Sequence, residues 1–403
     1  MHFLFLSSII GRQTGGIETL IARMSKWLLE KGHRVTLLSN RGHEFREIFP
    51  DEMRIVEIGD QLRQFCFYHK AKKAWSELQI DRPDVIKSFH LRDSWISSIL
   101  SSIIKPAPKV LFGNYFAYIF RQSRNPFKYF TRRPYLLNLQ RNFADSSILC
   151  MDEEQICQFR RQYGQHRNPT FWPLPIDDPS KHGPVRSPEW GHIVSVGRLE
   201  PMKEYNFYMI DVIAKLRQKG YPVTWTVFGE GSFADAMQVQ INALGLNEAI
   251  DLKGKLAYSN FAAAMQHAYL FVGMGTSIAE AALCGVPGVV ALAHDMSGAT
   301  YGSLHHFPFG NLGNRMDNAP GTTVEAEIER IIKLQKHEYE EETRKNRECA
   351  QAYAMDISMD KFLGFVAKAT VTKTSYELFY YYYAHRSLEL LWQKVKPSIM
   401  RLR

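Results

Sequence analysis

Short apolar runs alternate with amphipathic segments along this chain, and that alternation limits the folds it can adopt. The chain starts with MHFLFLSSIIGRQTGGIETL, an apolar run that leads into the glycine pair Gly15–Gly16. Apolar residues then recur at helical spacing from Ile17 to Leu28, Gly32 can end that helix, and a β-branched run follows at 33–39. A strand, a glycine turn, a helix and a second strand in this order predict a βαβ unit.

A secretory signal peptide is the alternative explanation for the apolar start. Signal peptides begin with positive charge and end at a cleavage site of small residues. Residues 1–10 contain no Lys or Arg, and their apolar run is little longer than a strand. We therefore expect these residues to form a buried strand of a folded domain.

The same alternation occurs in two halves of the chain. Strands are predicted at 33–39, 83–90, 109–115, 146–151 and 169–178 in the first half, and at 192–197, 223–229, 269–273 and 287–292 in the second. Residues 179–191 hold three prolines and two glycines, which indicates a linker. Near-continuous apolar strands separated by helices are typical of parallel sheets that are covered on both faces.

These features predict an α/β fold with two Rossmann-like domains. We expect an N-terminal domain at 1–180, a C-terminal domain at 190–365, and a helical tail rich in aromatic and basic residues at 366–403. Such folds bind ligands at the carboxyl ends of their strands, so we expect a ligand-binding cleft between the two domains at those ends.

The composition agrees with a folded protein of two domains. The chain has 403 residues, 45% hydrophobic and 23% charged, and no apolar stretch near the length of a membrane-spanning helix. Its five cysteines are scattered and form no C-x-x-C pair. This argues against a zinc site and a disulfide framework, and indicates a reducing cytoplasm.

Positive charge is concentrated in two segments. The net charge is +9, and the stretch between Asp93 and Asp145 contains eight Lys or Arg, many aromatic residues and no acid. The segment Leu378–Arg403 also combines basic and aromatic residues, with one acid, Glu389. Basic and aromatic residues together suit an anionic membrane surface or a single-stranded nucleic acid. Alternatively, the rings belong to the core and the charges form its solvated rim.

Four glycine-containing segments fall at predicted strand-to-helix turns. They are Gly15–Gly16, 197–203 (GRLEPMK), 229–232 (GEGS) and 273–287 (GMGTSIAEAALCGVP). Glycine lets backbone N–H groups approach an anion, and the following helix N-terminus adds a partial positive charge. The sequence contains neither a dinucleotide-binding G-x-G-x-x-G nor a Walker A lysine motif.

In this order, the four segments resemble the family-4 glycosyltransferases (group 1 glycosyl transferases), retaining enzymes with two Rossmann-like domains in the GT-B architecture. The resemblance covers residues 1–369 and is strongest at 192–290. It implies transfer of a sugar from a nucleoside-diphosphate sugar to a saccharide or lipid-linked saccharide, in the synthesis of a surface polysaccharide or lipopolysaccharide. It also suggests a cytoplasmic enzyme, which the basic segments would attach peripherally to the inner face of the membrane.

The resemblance assigns roles to individual residues. Arg198 and Lys203 match the pair that clamps the donor diphosphate, and they are the expected catalytic cations. Glu280 matches the ribose-binding glutamate of a signature that spans Val272 to Pro287. The remaining donor-binding residues are expected to be the phosphate-facing backbone and turn positions Gly15, Gly16, Gly229, Gly231, Gly275, Thr276 and Ser277.

Three positions depart from the family pattern. Val272 replaces a glutamate that contacts the donor hexose, and Asn114 replaces a histidine. The family's histidine pair falls on Lys87 and Phe89, with His90 one residue later. His90 is therefore either a further catalytic residue or a structural histidine.

The acceptor or sugar side is expected to involve Asn114 and Glu18, although Glu18 can equally support the start of its helix. Two negative charges develop on the departing diphosphate, and Arg198, Lys203 and a helix N-terminus can offset them. No convincing Asp-x-Asp lies at a strand end. We therefore expect neither a metal nor another cofactor.

Two alternative functions stay open at this point. A catalytically silent, glycosyltransferase-like binding protein is suggested by Val272 and Asn114. A nucleic-acid-modifying glycosyltransferase is suggested by the excess of positive charge. Of the two anionic partners, we expect the membrane surface rather than nucleic acid.

Overall fold

The computed structural model describes residues 1–8, 15–40, 46–115, 119–120, 126–316 and 318–372, with the side chains at 60–63, 126–131 and 182 left aside. Most of the predicted tail, from residue 373 onward, lies outside these residues, as do residues 121–125 of the basic stretch. No helix in the described part of the chain is both long and apolar enough to cross a membrane.

The chain forms two compact units whose boundaries differ from the predicted domains. The first unit contains Met1–Trp172 and the chain from Met359 onward, and the second contains Pro173–Ser358. The predicted linker at 179–191 belongs to the second unit, because Ser187 and Glu189 donate backbone hydrogen bonds to the carbonyls of Gln266 and His267.

The predicted end of the C-terminal domain at residue 365 is also displaced. Phe362 packs against Trp172 and Phe3 of the first unit, with ring centroids 5.2 and 6.1 Å apart. Farther along, Val110 donates its backbone N–H to the carbonyl of Thr370 at 3.0 Å. These apolar and backbone contacts place the chain from Met359 with the first unit.

The first unit is a parallel sheet with helices. The sheet order is β3-β2-β1-β4-β5-β6-β7. The strands are β1 (His2–Ser7), β2 (Arg34–Ser39), β3 (Arg54–Glu57), β4 (Val85–Ser88), β5 (Lys109–Asn114), β6 (Ile148–Cys150) and β7 (Thr170–Phe171). The helices are α1 (Gly16–Glu30), α2 (Tyr68–Glu77), α3 (Leu91–Ile103), α4 (Pro126–Asn142) and α5 (Glu153–Tyr163), and 3-10 turns cover Gly59–Cys66 and Asp145–Ser147.

The second unit repeats this arrangement. Its main sheet has the order β10-β9-β8-β11-β12 and is parallel throughout. The strands are β8 (His192–Val196), β9 (Thr224–Phe228), β10 (Ile250–Gly254), β11 (Leu270–Gly273) and β12 (Gly288–Val290), with β13 (Ala299–Thr300) and β14 (Thr322–Thr323) as a separate antiparallel pair. The helices are α6 (Tyr205–Gln218), α7 (Ala234–Ala243), α8 (Phe261–Ala264), α9 (Thr276–Leu283), α10 (Val324–Ile332), α11 (Lys336–Gln351) and α12 (Met355–Lys368), which ends in the first unit, and 3-10 turns cover Pro179–His182, Tyr258–Asn260 and Leu304–His306.

Both sheets have the Rossmann strand order, which confirms the predicted fold class. In each sheet the order reverses direction between the first and fourth strands of the unit, that is, between β1 and β4 and between β8 and β11. Ligands bind such sheets at this switch point, outside the carboxyl ends of the strands. The topology therefore points to the loops after these four strands.

The apolar start of the chain is a buried strand, as predicted. All six residues of β1 are buried, and α1 buries Leu20, Ile21, Met24 and Leu28 on one face. The serine-rich helix α3 is also buried. It tolerates burial because Ser97 and Ser98 donate their hydroxyls to the carbonyl of Ser94 at 3.0 Å.

Lys87 carries an amine into the interior of the first unit. It lies in β4 and is fully buried, with Nζ 5.0 Å from the ring centroids of Phe89 and Tyr115 and 5.8 Å from that of Trp172. Gly113 on β5 leaves room, since a Cβ there would overlap Nζ and the Tyr115 hydroxyl. Burial lowers the pKa of Lys87 well below its usual range, so folding favours the neutral amine.

Replacing Lys87 by Met should raise the free energy of unfolding by about 1–3 kcal/mol, the cost of burying an incompletely hydrogen-bonded polar group. The folded pKa lies below the unfolded one, so the folded protein binds fewer protons, and wild-type stability rises with pH between the two values. Urea unfolding at several pH values up to about pH 10 measures this slope, which should be smaller in Lys87→Met. Equal slopes would show that Lys87 stays charged in the folded protein.

Candidate functional site

The loops at the switch point of the second unit lie side by side. The loop 197–203 follows β8, and the residues that follow β11 lead into helix α9. Ser277, in the first turn of α9, donates its hydroxyl to the carbonyl of Val196, the last residue of β8, at 3.0 Å. The predicted diphosphate loop and the predicted phosphate-binding helix N-terminus therefore meet.

Two cations lie on the loop that follows β8. Arg198 is exposed, and Lys203 is half-buried, with its ammonium against the Cα of Gly197, where a Cβ would overlap Nζ. Burial, and then the nearby charge of Arg198, lower the pKa of Lys203 to about 8. An anion bound at this loop would stabilise the charged form of Lys203 against both its burial and its repulsion by Arg198. The loop therefore favours the binding of an anion.

Gly229 and Gly231 let the turn after β9 approach this loop. A Cβ on Gly229 would overlap the carbonyl oxygen of Gly197, and Gly231 has φ of +152° with its Cα against the carbonyl of Leu199. Leu199 also donates its backbone N–H to the carbonyl of Glu230 at 2.9 Å. The two glycines thus have a packing role, and their contact with a donor stays a prediction.

Glu200, on the loop after β8, was not predicted from the sequence to belong to the site. Its carboxylate accepts hydrogen bonds from the backbone N–H and the hydroxyl of Ser232, at 3.1 and 3.0 Å. The bond links the loop after β8 to the turn after β9. Its only sequence signal was an acid in the middle of GRLEPMK.

Helix α9 presents its N-terminus at the same edge. Gly275 caps it with φ of +78°, and Thr276 and Ser277 are its first two residues. The first N–H groups of a helix have no partner within the helix and carry a partial positive charge. Their position supports the prediction that they face phosphate.

Glu280 lies one turn farther along α9 and is 3% exposed. Its carboxylate accepts a hydrogen bond from the Tyr258 hydroxyl at 3.3 Å. Val272 lies within β11, is fully buried and belongs to the apolar core of the sheet. The position that carries a glutamate in the resembled family is therefore a packing position here.

The predicted residues of the first unit lie at strand ends or at helix starts. Gly15 precedes α1, and its N–H donates to the carboxylate of Glu18 at 3.0 Å. Glu18 thereby supports the start of its helix, which is the second of the two roles considered for it. Gly16 is the first residue of α1, and Asn114 is the buried last residue of β5.

His90 forms a buried pair with Asp93. Its Nδ1 lies 3.0 Å from Oδ2 of Asp93, and the same carboxylate accepts the N–H of Ser8, just after β1, at 3.1 Å. A carboxylate at Nδ1 holds the imidazole ring in one orientation. Asp93 was not predicted, although its spacing of three residues from His90 at a helix start was visible.

The structure thus brings eight predicted residues to one edge of the second unit. They are Arg198, Lys203, Gly229, Gly231, Gly275, Thr276, Ser277 and Glu280. Gly15, Gly16, Glu18, His90 and Asn114 lie at the ends of the strands or the helix starts of the first unit.

Two Rossmann-like units, one with a cationic loop beside a helix N-terminus, are the layout of a GT-B glycosyltransferase. Sequence comparison agrees. The model described as "Glycosyl transferases group 1" matches residues 186–301, and the model described as "Glycosyltransferase Family 4" matches residues 14–178. The chain belongs to the group 1 glycosyltransferases, and it is an enzyme of the glycosyltransferase type.

Solved structures share the fold at low sequence identity. Anabaena HepE, solved with UDP-glucose, is 17% identical over 91% of this chain and 100% of its own, with a TM-score of 0.63. The sucrose-phosphate synthase of Thermosynechococcus elongatus is 13% identical over 90% and 98%, with a TM-score of 0.65. The lipopolysaccharide outer core galactosyltransferase WaaB is 13% identical over 91% and 99%, with a TM-score of 0.61. No curated protein sequence matches the chain.

Glu280→Ala should weaken nucleotide binding by about 1.5–3 kcal/mol, the value of a hydrogen bond to a charged group. Calorimetric titration with UDP, GDP and ADP measures it, and Tyr258→Phe is the matched control, because it removes the neighbouring hydroxyl but keeps the carboxylate. Unchanged affinity for every nucleotide that binds the wild type would show that Glu280 does not contact the ribose.

Proposed function

We propose that this enzyme is a retaining glycosyltransferase that moves a sugar from a nucleoside-diphosphate sugar to a saccharide or lipid-linked saccharide. The observation that carries the proposal is the pair Arg198 and Lys203 beside the N-terminus of α9, at the switch point of the second sheet. The UDP-glucose complex of HepE supports the donor class, and the fold shared with the lipopolysaccharide outer core galactosyltransferase WaaB supports a role in surface polysaccharide synthesis.

The chemistry to be supported is departure of a nucleoside diphosphate from the anomeric carbon. Arg198, Lys203 and the α9 N-terminus would stabilise the charge that develops on the leaving group, without rearranging at the moment of reaction. The family resemblance implies attack on the same face of the sugar. We keep His90 as a further proposed catalytic residue, whose ring is held by Asp93.

Arg198→Ala and Lys203→Ala should each lower turnover about 10²–10³-fold, as for loss of one preorganised charge-stabilising donor. The measurement is transfer or hydrolysis of the donor sugar by folded variants. Lys215→Ala, which removes an exposed lysine of the same unit, is the matched control and should keep wild-type turnover. Full turnover in either loop variant would remove that residue from the mechanism, and no turnover of any donor by the wild type would favour a silent binding protein.

The pH dependence of the same assay tests the role of Lys203. Burial and Arg198 lower the pKa of Lys203 to about 8, so kcat/KM should fall above about pH 8 as the ammonium loses its proton. Arg198→Ala removes the nearby like charge and should move this fall to higher pH. A profile that is flat through pH 9 in the wild type would contradict the assignment.

Metal-independent transfer is part of the proposal. Since Arg198, Lys203 and a helix N-terminus are assigned to charge neutralisation, EDTA should leave turnover unchanged. The control adds Mg²⁺ or Mn²⁺ to the chelated enzyme and should change nothing. Loss of activity with EDTA and its return with either ion would show that a metal takes part.

We also propose that the enzyme acts in the cytoplasm, attached peripherally to the inner face of the membrane. The composition of the basic stretch Arg121–Arg141 supports this, although its first part, up to the side chain of residue 131, lies outside the described residues. Farther along α4, Leu136 and Leu139 are buried, and before the helix Phe120 packs against Phe159 at 5.0 Å. The attachment would rest on the basic residues of the stretch Arg121–Arg141, assisted by those of the tail.

Vesicles of anionic lipid should sediment the wild type at low salt and release it at high salt, because exposed charges are screened. Each basic residue near the surface adds about 1 kcal/mol, so changing Arg124, Lys128, Arg132 and Arg133 to Ser should abolish binding. A control with Lys215, Lys219, Lys253 and Lys255 changed to Ser removes the same charge elsewhere. Equal binding by both variants, or tighter binding to DNA at matched salt, would contradict the proposal.

A further inference from the structure

A cavity of about 510 Å³ lies in the second unit, apart from the donor loops. Its walls come from the segment before β8, the residue before β11, and the first half of α11. The strands β8 and β11 begin at this cavity and end at the donor loops. With five residues in β8, the two sites are roughly 17 Å apart, at opposite edges of one sheet.

Aromatic rings form two walls of the cavity. Trp190 is 47% exposed, and its indole N–H donates to the carbonyl of Ile332 at 3.2 Å. Tyr269 and Tyr339 stack with centroids 4.3 Å apart, and the Tyr339 hydroxyl donates to the carbonyl of Tyr269 at 2.7 Å. Because the polar ends of Trp190 and Tyr339 are bonded to backbone, these rings are fixed before any ligand arrives.

Charged groups of both signs complete the lining. Arg186 donates two guanidinium N–H groups to the carbonyls of Ala268 and Gly285, which holds it in place. Lys336 and Glu340 are exposed on α11 at the cavity. The cavity therefore offers rigid apolar faces together with hydrogen-bond donors and acceptors.

We propose that this cavity is a second saccharide-binding site for an uncharged stretch of a saccharide chain. A pyranose ring has a face of C–H groups, which packs on an aromatic ring, and a rim of hydroxyls, which needs donors and acceptors. An aliphatic ligand would give no partners to the exposed groups of Lys336 and Glu340, and the mixed signs of Arg186, Lys336 and Glu340 give a polyanion little net attraction. The volume lies within the range of about 300–1,000 Å³ for ligand sites.

The site rests on the proposed function, because the saccharide would be part of the acceptor or product chain. Held at this edge of the sheet, a long chain would stay near the enzyme between transfers, which raises its effective concentration at the transfer site. Short acceptors would gain nothing from it. The inference thus predicts a preference for long chains that comes from the second unit alone.

Calorimetric titration with maltohexaose, cellohexaose and chitohexaose, each in the presence of saturating UDP, tests the site in the full-length protein. At least one of these saccharides should bind, and Trp190→Ala should weaken it at least tenfold without changing UDP affinity or the melting temperature. Leu244→Ala is the matched control, because Leu244 is also about half exposed in the second unit, at 48%. Trp190→Phe keeps a ring and should retain part of the affinity.

Four outcomes would overturn the inference. They are no binding of any of the three saccharides, equal binding by Trp190→Ala, binding that UDP abolishes, and preferential binding of single-stranded nucleic acid at the cavity. Normal UDP binding and sugar transfer alongside any of these would leave the proposed function intact. Failure of the wild type to bind any of UDP, GDP and ADP would instead count against the proposed function.

Discussion

Close backbone contact between two turns fixes the site of the second unit. The turn after β9 can lie against the loop after β8 because Gly229 and Gly231 carry no side chain. Backbone hydrogen bonds then lock Leu199 between Glu230 and Phe233, both at 2.9 Å. On this loop, the ammonium of Lys203 lies against Gly197. Preorganised charge of this kind stabilises a leaving group without a cost of rearrangement.

The fold was largely predictable from the sequence, because buried parallel strands leave an unambiguous apolar pattern. In the two parallel sheets, the strands that escaped prediction were β3 and β10, which lie at the edges of their sheets and are partly exposed. The domain boundary was misplaced for a different reason. Residues 179–191 have the composition of a linker, but they bond to the backbone of Gln266 and His267, and composition does not record such contacts.

Residues of the candidate site could be predicted only where they belong to a short continuous sequence motif. The glycine turns, Arg198, Lys203 and Glu280 all lie within short motifs. Partners of the predicted residues come from elsewhere in the chain. Tyr258 contacts Glu280 from a separate 3-10 turn, and Asp93, the partner of His90, also binds the backbone N–H of Ser8, 85 residues away. The lowered pKa of Lys203 likewise depends on burial that only the folded loop creates.

The return of the chain to its first unit has a consequence for biosynthesis. Phe362 packs on Trp172 and Phe3, and Lys109 donates to the carbonyls of Val366 and Ala367 at 3.0 and 2.7 Å. On the ribosome, the first unit emerges nearly two hundred residues before this segment. Part of the apolar surface of the first unit therefore stays uncovered until the second unit has been translated. The first unit is thus the first to be synthesised, but it is completed only after the second unit has been synthesised.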